Sequence, residues 1–104
     1  MSINSRIKFH GNQYLNYGRA RKMHKYKARQ ARIAGDFKTA DMHKKLAKFV
    51  DTLADTHIKA SDLYKKAARE RNMEALKNAR MLTKKAANKY DEYQIYKKYH
   101  VRIH

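Results

Sequence analysis

Between Phe37 and Arg71 the chain contains neither glycine nor proline, and its apolar residues recur at the helical period. Met42, Leu46, Phe49, Val50, Leu53, His57, Ala60, Tyr64, Ala67 and Ala68 form one stripe, about 100° wide on a helical wheel. Asp41, Lys44, Lys48, Asp51, Asp55, Lys59, Asp62 and Lys66 fill the opposite side. A stretch with no breaker and one apolar face is held to a single long helix that must bury that face on other helices. Asp41–Lys45, Asp55–Lys59 and Asp62–Lys66 have the acid-first i,i+4 order, worth a few tenths of a kcal/mol each.

The rest of the chain suits the same material. There is no proline, and only three glycines occur in 104 residues. A first helix is expected from about Gln13 to Ala34, with Gly18 as a weak point. Gly35 fits the left-handed position after a helix, and Asp36 can cap the next one. Asn72 is the matching N-cap for a third helix, with Glu74 favourably placed in its first turn. That helix buries Ala75, Leu76, Ala79, Leu82, Ala86, Tyr90 and Tyr93, and is expected to continue to about Tyr99. The turns around Asp36 and Asn72 echo each other, too few to make a solenoid repeat. The fold class expected is therefore all-α: an antiparallel three-helix bundle with a long central helix and extended or loosely ordered termini. The expected organisation is an N-terminal extension over 1–12, a bundle over 13–99 and a tail over 100–104. Arg6–His10 and His100–His104 alternate like strands, and a two-stranded ribbon between them is the minor alternative.

The larger core residues are Leu46, Phe49, Val50, Leu53, Leu76 and Leu82, with alanine supplying much of the rest. That is thin for an independent domain, and Ile58 and Leu63 fall outside the central stripe. A homodimer or burial within a larger assembly is accordingly in view.

Charge decides the functional class. Lys and Arg number 26 against 9 Asp and Glu, giving +17 and a pI near 10.2. Such an excess destabilises the compact state by self-repulsion and calls for an anionic partner. The excess is uneven: residues 1–35 carry nine bases and no acid, whereas six of the nine acids lie in residues 36–71. Within the first helix, RARKMHKYKARQAR spanning Arg19–Arg32 sorts into two faces. Arg21, Lys22, Lys25, Arg29 and Arg32 fall on one side, with Arg19 at its edge. Tyr17, Ala20, Met23, His24, Ala28, Ala31 and Ala34 fall on the other, broken only by Lys27, whose long stem can snorkel outward. Mixed charges would read as an ordinary solvated face, but no acid interleaves these bases. The alanine side suits close packing on another helix and lacks the Trp, Phe and Leu of a membrane-surface helix.

Further bases on the third helix (Lys77, Arg80 and Lys84) and the run Tyr96, Lys97, Lys98 and Tyr99 extend the candidate nucleic-acid-binding set. Tyrosine between bases can stack on unpaired nucleobases; the plainer role for Tyr96 and Tyr99 is to cover the bundle end. His43 and His57 lie on the central helix and His100 and His104 are four apart, but no metal-ligand spacing accompanies them. His57 falls on the apolar stripe, where a hydrogen-bonded core histidine is the usual explanation. Asp51 and Asp55 share a face flanked by lysines, which reads as surface ion pairing. With no phosphate loop and no nucleophile motif, the sequence points away from an enzyme and calls for no cofactor and no metal.

The expected function is non-catalytic nucleic-acid binding through phosphate contacts, to DNA or RNA, with little sequence reading. A helix-turn-helix is not indicated, because the helix after Gly35 exposes a charge-balanced side. The alternative is a small basic inhibitor or accessory protein, of phage or mobile-element type, that binds an acidic protein surface or a ribonucleoprotein machine. No apolar run nears the roughly 20 residues of a membrane span, no signal peptide is visible and cysteine is absent. A cytoplasmic or nucleoid-associated location is therefore expected. In general character, the Ala34-Gly35-Asp36 turn before a long helix resembles small helical ribosomal proteins of the bacterial small subunit; no residue-level motif supports assigning a family.

Overall fold

A computed structural model describes residues 2–99, and these form three helices: α1 (Ile3–Ile33), α2 (Phe37–Glu70) and α3 (Met73–Tyr99). They pack as an antiparallel bundle measuring 54 × 24 × 18 Å. The helix α2 is central, with α1 and α3 each lying along it; α1 and α3 reach each other through long side chains rather than by backbone approach.

Both turns follow from their caps. After Ala34, Gly35 takes φ +80 and closes a Schellman motif, in which Asp36 N–H donates to the Ala31 carbonyl at 2.8 Å and Gly35 N–H to that of Arg32 at 3.0 Å. The Asp36 carboxylate then accepts from Thr39 N–H at 3.1 Å, starting α2. Hydrogen bonding by the Thr39 side chain, and then by its backbone N–H, also holds the Asp36 carboxyl below its ordinary range. At the second turn Arg71 itself adopts the left-handed conformation, φ 51, a strained choice for a residue with a Cβ. Asn72 Oδ1 accepts from Ala75 N–H at 3.1 Å and starts α3.

The start of the first helix is a correction. It lies at Ile3 rather than near Gln13, so Arg6–His10 is helical and forms no strand. Ser2 caps it, accepting from Ser5 N–H at 3.2 Å. The period in 3–12 is carried by Ile3, Ile7 and His10, and counting His10 as polar conceals it. His100–His104, the other half of the proposed ribbon, lie outside the described residues.

Leu46, Val50, Leu53, Tyr93 and Tyr96 form the main core cluster, with Tyr17, Ala20, Met42 and Phe49 packed against it. Fully burying a Leu or Val side chain contributes about 2 kcal/mol. Alanines 28, 40, 47, 54, 60, 67, 75, 79 and 86 are buried along the seams, where small side chains let helix axes approach. Five assignments to the inner face change: Met23, Ala34, Ala68 and Tyr90 are exposed, and Tyr96 is buried.

Candidate nucleic-acid interface

The bases of α1 are positioned by the seam beside them. Ala28 and His24 turn towards α2 and are buried, and this rotation leaves Arg19, Lys22, Lys25, Arg29 and Arg32 exposed. Arg21 lies at the edge, where its guanidinium donates to Asp51 Oδ1 across the seam at 3.1 Å. The bridge is open to solvent on both sides, so its own contribution to stability is at most about 1 kcal/mol. Its position matters more, because it marks which side of α2 faces the basic row.

That side carries Lys44 and Lys48. Between the helices runs a groove of about 420 Å³ lined by Arg21, Lys25, Ala28, Arg29 and Arg32 from α1 and Lys44, Ala47, Lys48 and Asp51 from α2. Two rails of cations face one another over an alanine floor. Beyond the Arg21–Asp51 bridge the groove continues into a second section of about 690 Å³, lined by Tyr14, Leu15, Gly18, Arg19, Lys22, Thr52, Ala54, Asp55 and Ile58. This second half mixes apolar side chains with three cations, Arg19, Arg21 and Lys22, and two carboxylates, Asp51 and Asp55.

The other expected site residues distribute differently. Lys77, Arg80 and Lys84 line a separate shallow depression on α3 with Met73, Leu76 and Met81, and do not join the α1–α2 groove. Lys97 sits 5.8 Å from the Tyr93 ring centroid and Lys98 5.2 Å from that of Tyr99, both as cation–π contacts. Tyr99 is exposed, but Tyr96 is only 5% exposed and packs on Phe49, so its ring faces are covered. Its proposed stacking role is therefore corrected to a core role.

Several residues escaped the sequence reading. Lys44 and Lys48 looked like part of a solvated frame; with α1 beside them they form the second cationic wall of the groove. Tyr14 and Tyr26 are exposed on α1, Tyr26 with Lys22 and Arg29 one turn away on the same surface.

The histidines form the other unexpected arrangement. His10 Nδ1 lies 2.7 Å from His57 Nδ1, and His24 Nδ1 lies 3.1 Å from His43 Nδ1. Fourteen residues separate His10 from His24 and also His43 from His57, so antiparallel packing creates two histidine layers about 21 Å apart. That equal spacing was the sequence signal. Thr83 fixes the tautomers of the first layer. Its hydroxyl donates to the Ala79 carbonyl at 2.9 Å, so His10 Nε2–H must donate to Thr83 Oγ1 at 3.1 Å. His10 Nδ1 is then the acceptor for His57 Nδ1–H. In the second layer His24 Nε2 meets the Tyr93 hydroxyl at 3.1 Å. Burial pushes His24 down to about 4, with His43, Lys97 and Lys27 reinforcing it. Burial likewise takes His57 to about 4, with His10 adding to it. His10 is lowered by burial and Arg6, and His43 by burial and Lys27. Lowered from 6.5, all four imidazoles are neutral at pH 7, and each Nδ1···Nδ1 hydrogen bond then joins one ring's N–H to the other's lone pair.

Each layer offers one pair of adjacent nitrogens, and among the described residues no group of three or more His, Cys, Asp or Glu is placed to hold a metal. No helix among them is long and apolar enough to cross a membrane. Comparison with known proteins finds no matching family model, curated protein or solved structure.

Proposed function

We propose that this protein is a non-catalytic nucleic-acid-binding protein that holds the phosphodiester backbone in the groove between α1 and α2. The observation carrying this reading is the pair of opposed cationic rails, Lys25, Arg29 and Arg32 facing Lys44 and Lys48. Such a groove concentrates positive potential, and neutralising its charges with phosphates releases condensed counterions. Among the described residues Asp51 is the acid paired with a base of α1, through Arg21, so an external anion relieves the repulsion along that row of bases.

The test is binding of the purified protein to duplex DNA, single strands and structured RNA across a salt series. Alanine at Arg21, Lys25, Arg29 and Arg32 together should abolish most binding; unchanged affinity sinks the proposal. A cellular partner that remains bound after nuclease treatment would favour the alternative, an accessory or inhibitory protein docking on an acidic protein surface. The groove's cations would serve carboxylates there in the same way.

A further inference from the structure

The two halves of the α1–α2 groove differ in chemistry, and the difference restricts what can occupy it. From Tyr14 to Arg32 it follows α1 for about 27 Å. At the Arg32 end both walls are cationic and suit phosphates. At the Tyr14 end the walls present Tyr14, 41% exposed, Leu15, 55% exposed, and half-buried Ile58. Arg19, Arg21 and Lys22 stand among them with Asp51 and Asp55, and both carboxylates are paired, Asp51 with Arg21 at 3.1 Å and Asp55 with Lys59 at 2.9 Å. A ligand filling both halves meets cations along its whole length, and an exposed ring with aliphatic neighbours only at the Tyr14 end.

A duplex does not offer that ring a base face. Its phosphates line its whole exterior, and its base faces are stacked inside it. An unpaired strand does: it can leave its phosphates between the lysine and arginine rails and turn its bases onto a ring and two aliphatic side chains. Base–tyrosine stacking contributes about 1–3 kcal/mol per base and tolerates any sequence. Resting on the phosphate-binding reading above, we infer that the ligand of this groove is single-stranded nucleic acid, with Tyr14 the stacking platform and Leu15 and Ile58 its apolar surround.

The experiment compares fluorescence anisotropy of labelled 12-nucleotide single strands and the corresponding 12-base-pair duplex at one moderate salt concentration. Oligo(dT), oligo(rU) and oligo(dC) serve as the single strands. The expected result is at least about tenfold tighter binding to single strands than to the duplex. Tyr14→Ala combined with Leu15→Ser should weaken single-strand binding about tenfold or more while changing duplex binding less than about twofold. Both positions are exposed, so the fold is preserved, and circular dichroism checks it. Tyr14→Phe should retain single-strand binding. The salt dependence should be the same in wild type and the double variant, because Tyr14 and Leu15 carry no charge. Duplex binding as tight as single-strand binding, or a double variant that binds strands normally, overturns this inference and leaves the phosphate reading standing. Polyglutamate competing as well per charge as oligo(dT) also overturns it, in favour of an acidic polypeptide. Binding of no strand at low salt overturns both.

Discussion

Acidification should unfold this bundle well before its carboxylates are protonated. An unfolded histidine takes its proton near pH 6.5, whereas His24 and His57 refuse theirs until about pH 4 in the folded chain. Between those values the unfolded state binds more protons, so stability falls as pH falls. The contribution is fully present above pH 6.5 and is lost down to about pH 4. At pH 5 each of these two histidines has forfeited roughly 2 kcal/mol, at about 1.4 kcal/mol per pH unit below 6.5. His10 and His43 shift in the same direction and add to the loss. Together this is a large part of the 5–15 kcal/mol that holds a typical domain folded. The charges facing the layers offer no rescue, because Arg6, Lys27 and Lys97 are all cationic. Thermal melts at pH 7.5, 6.0 and 5.0 at constant ionic strength should show the midpoint falling by more than about 10 °C over this range. An unchanged midpoint between pH 7.5 and 5.0 would refute the reasoning, since the four imidazoles would then titrate alike in folded and unfolded chains.

Other consequences are local. Thr83→Val leaves the His10 Nε2–H and the Tyr64 hydroxyl, which lies 3.4 Å from Thr83 Oγ1, without that acceptor, and should cost about 2–4 kcal/mol in urea denaturation. Leu53→Ala, at a fully buried site in the main core, should cost about 2–5 kcal/mol by the same measurement. Arg71→Gly relieves the left-handed backbone at the α2–α3 turn and should raise stability by about 0.5–1 kcal/mol. Asp51→Ala should change stability by less than about 1 kcal/mol yet tighten nucleic-acid binding, because it frees Arg21 and removes a negative charge between the two halves of the groove.

The parts of the fold legible in the sequence were those specified locally. The stripe of α2 needs only its own residues, and the caps at Asp36 and Asn72 act within four residues of themselves. The start of α1 was missed because its apolar stripe runs through His10, polar in isolation but buried once His57 and Thr83 satisfy its ring. Tyr96 was misplaced for a related reason: its burial depends on Phe49 of another helix. The basic row of α1 was readable as a row, since charge and period are properties of one segment. Its opposing rail was not, because Lys44 and Lys48 acquire a role only through the rotation of α2 against α1 that the Arg21–Asp51 bridge marks. The histidine layers likewise needed both spacing and antiparallel register to be recognised as pairs.

The central claim is that the rails between α1 and α2 carry the anion. The most direct measurement is the slope of log affinity against log salt for oligo(dT), in wild type and in the Lys25→Ala, Arg29→Ala, Lys44→Ala, Lys48→Ala variant. With four rail charges removed, the slope should become shallower by about 2–3, at roughly 0.7 for each single-strand phosphate no longer neutralised, and affinity should fall steeply at low salt. A variant that keeps the wild-type slope and affinity would place the binding elsewhere on the molecule and contradict the account.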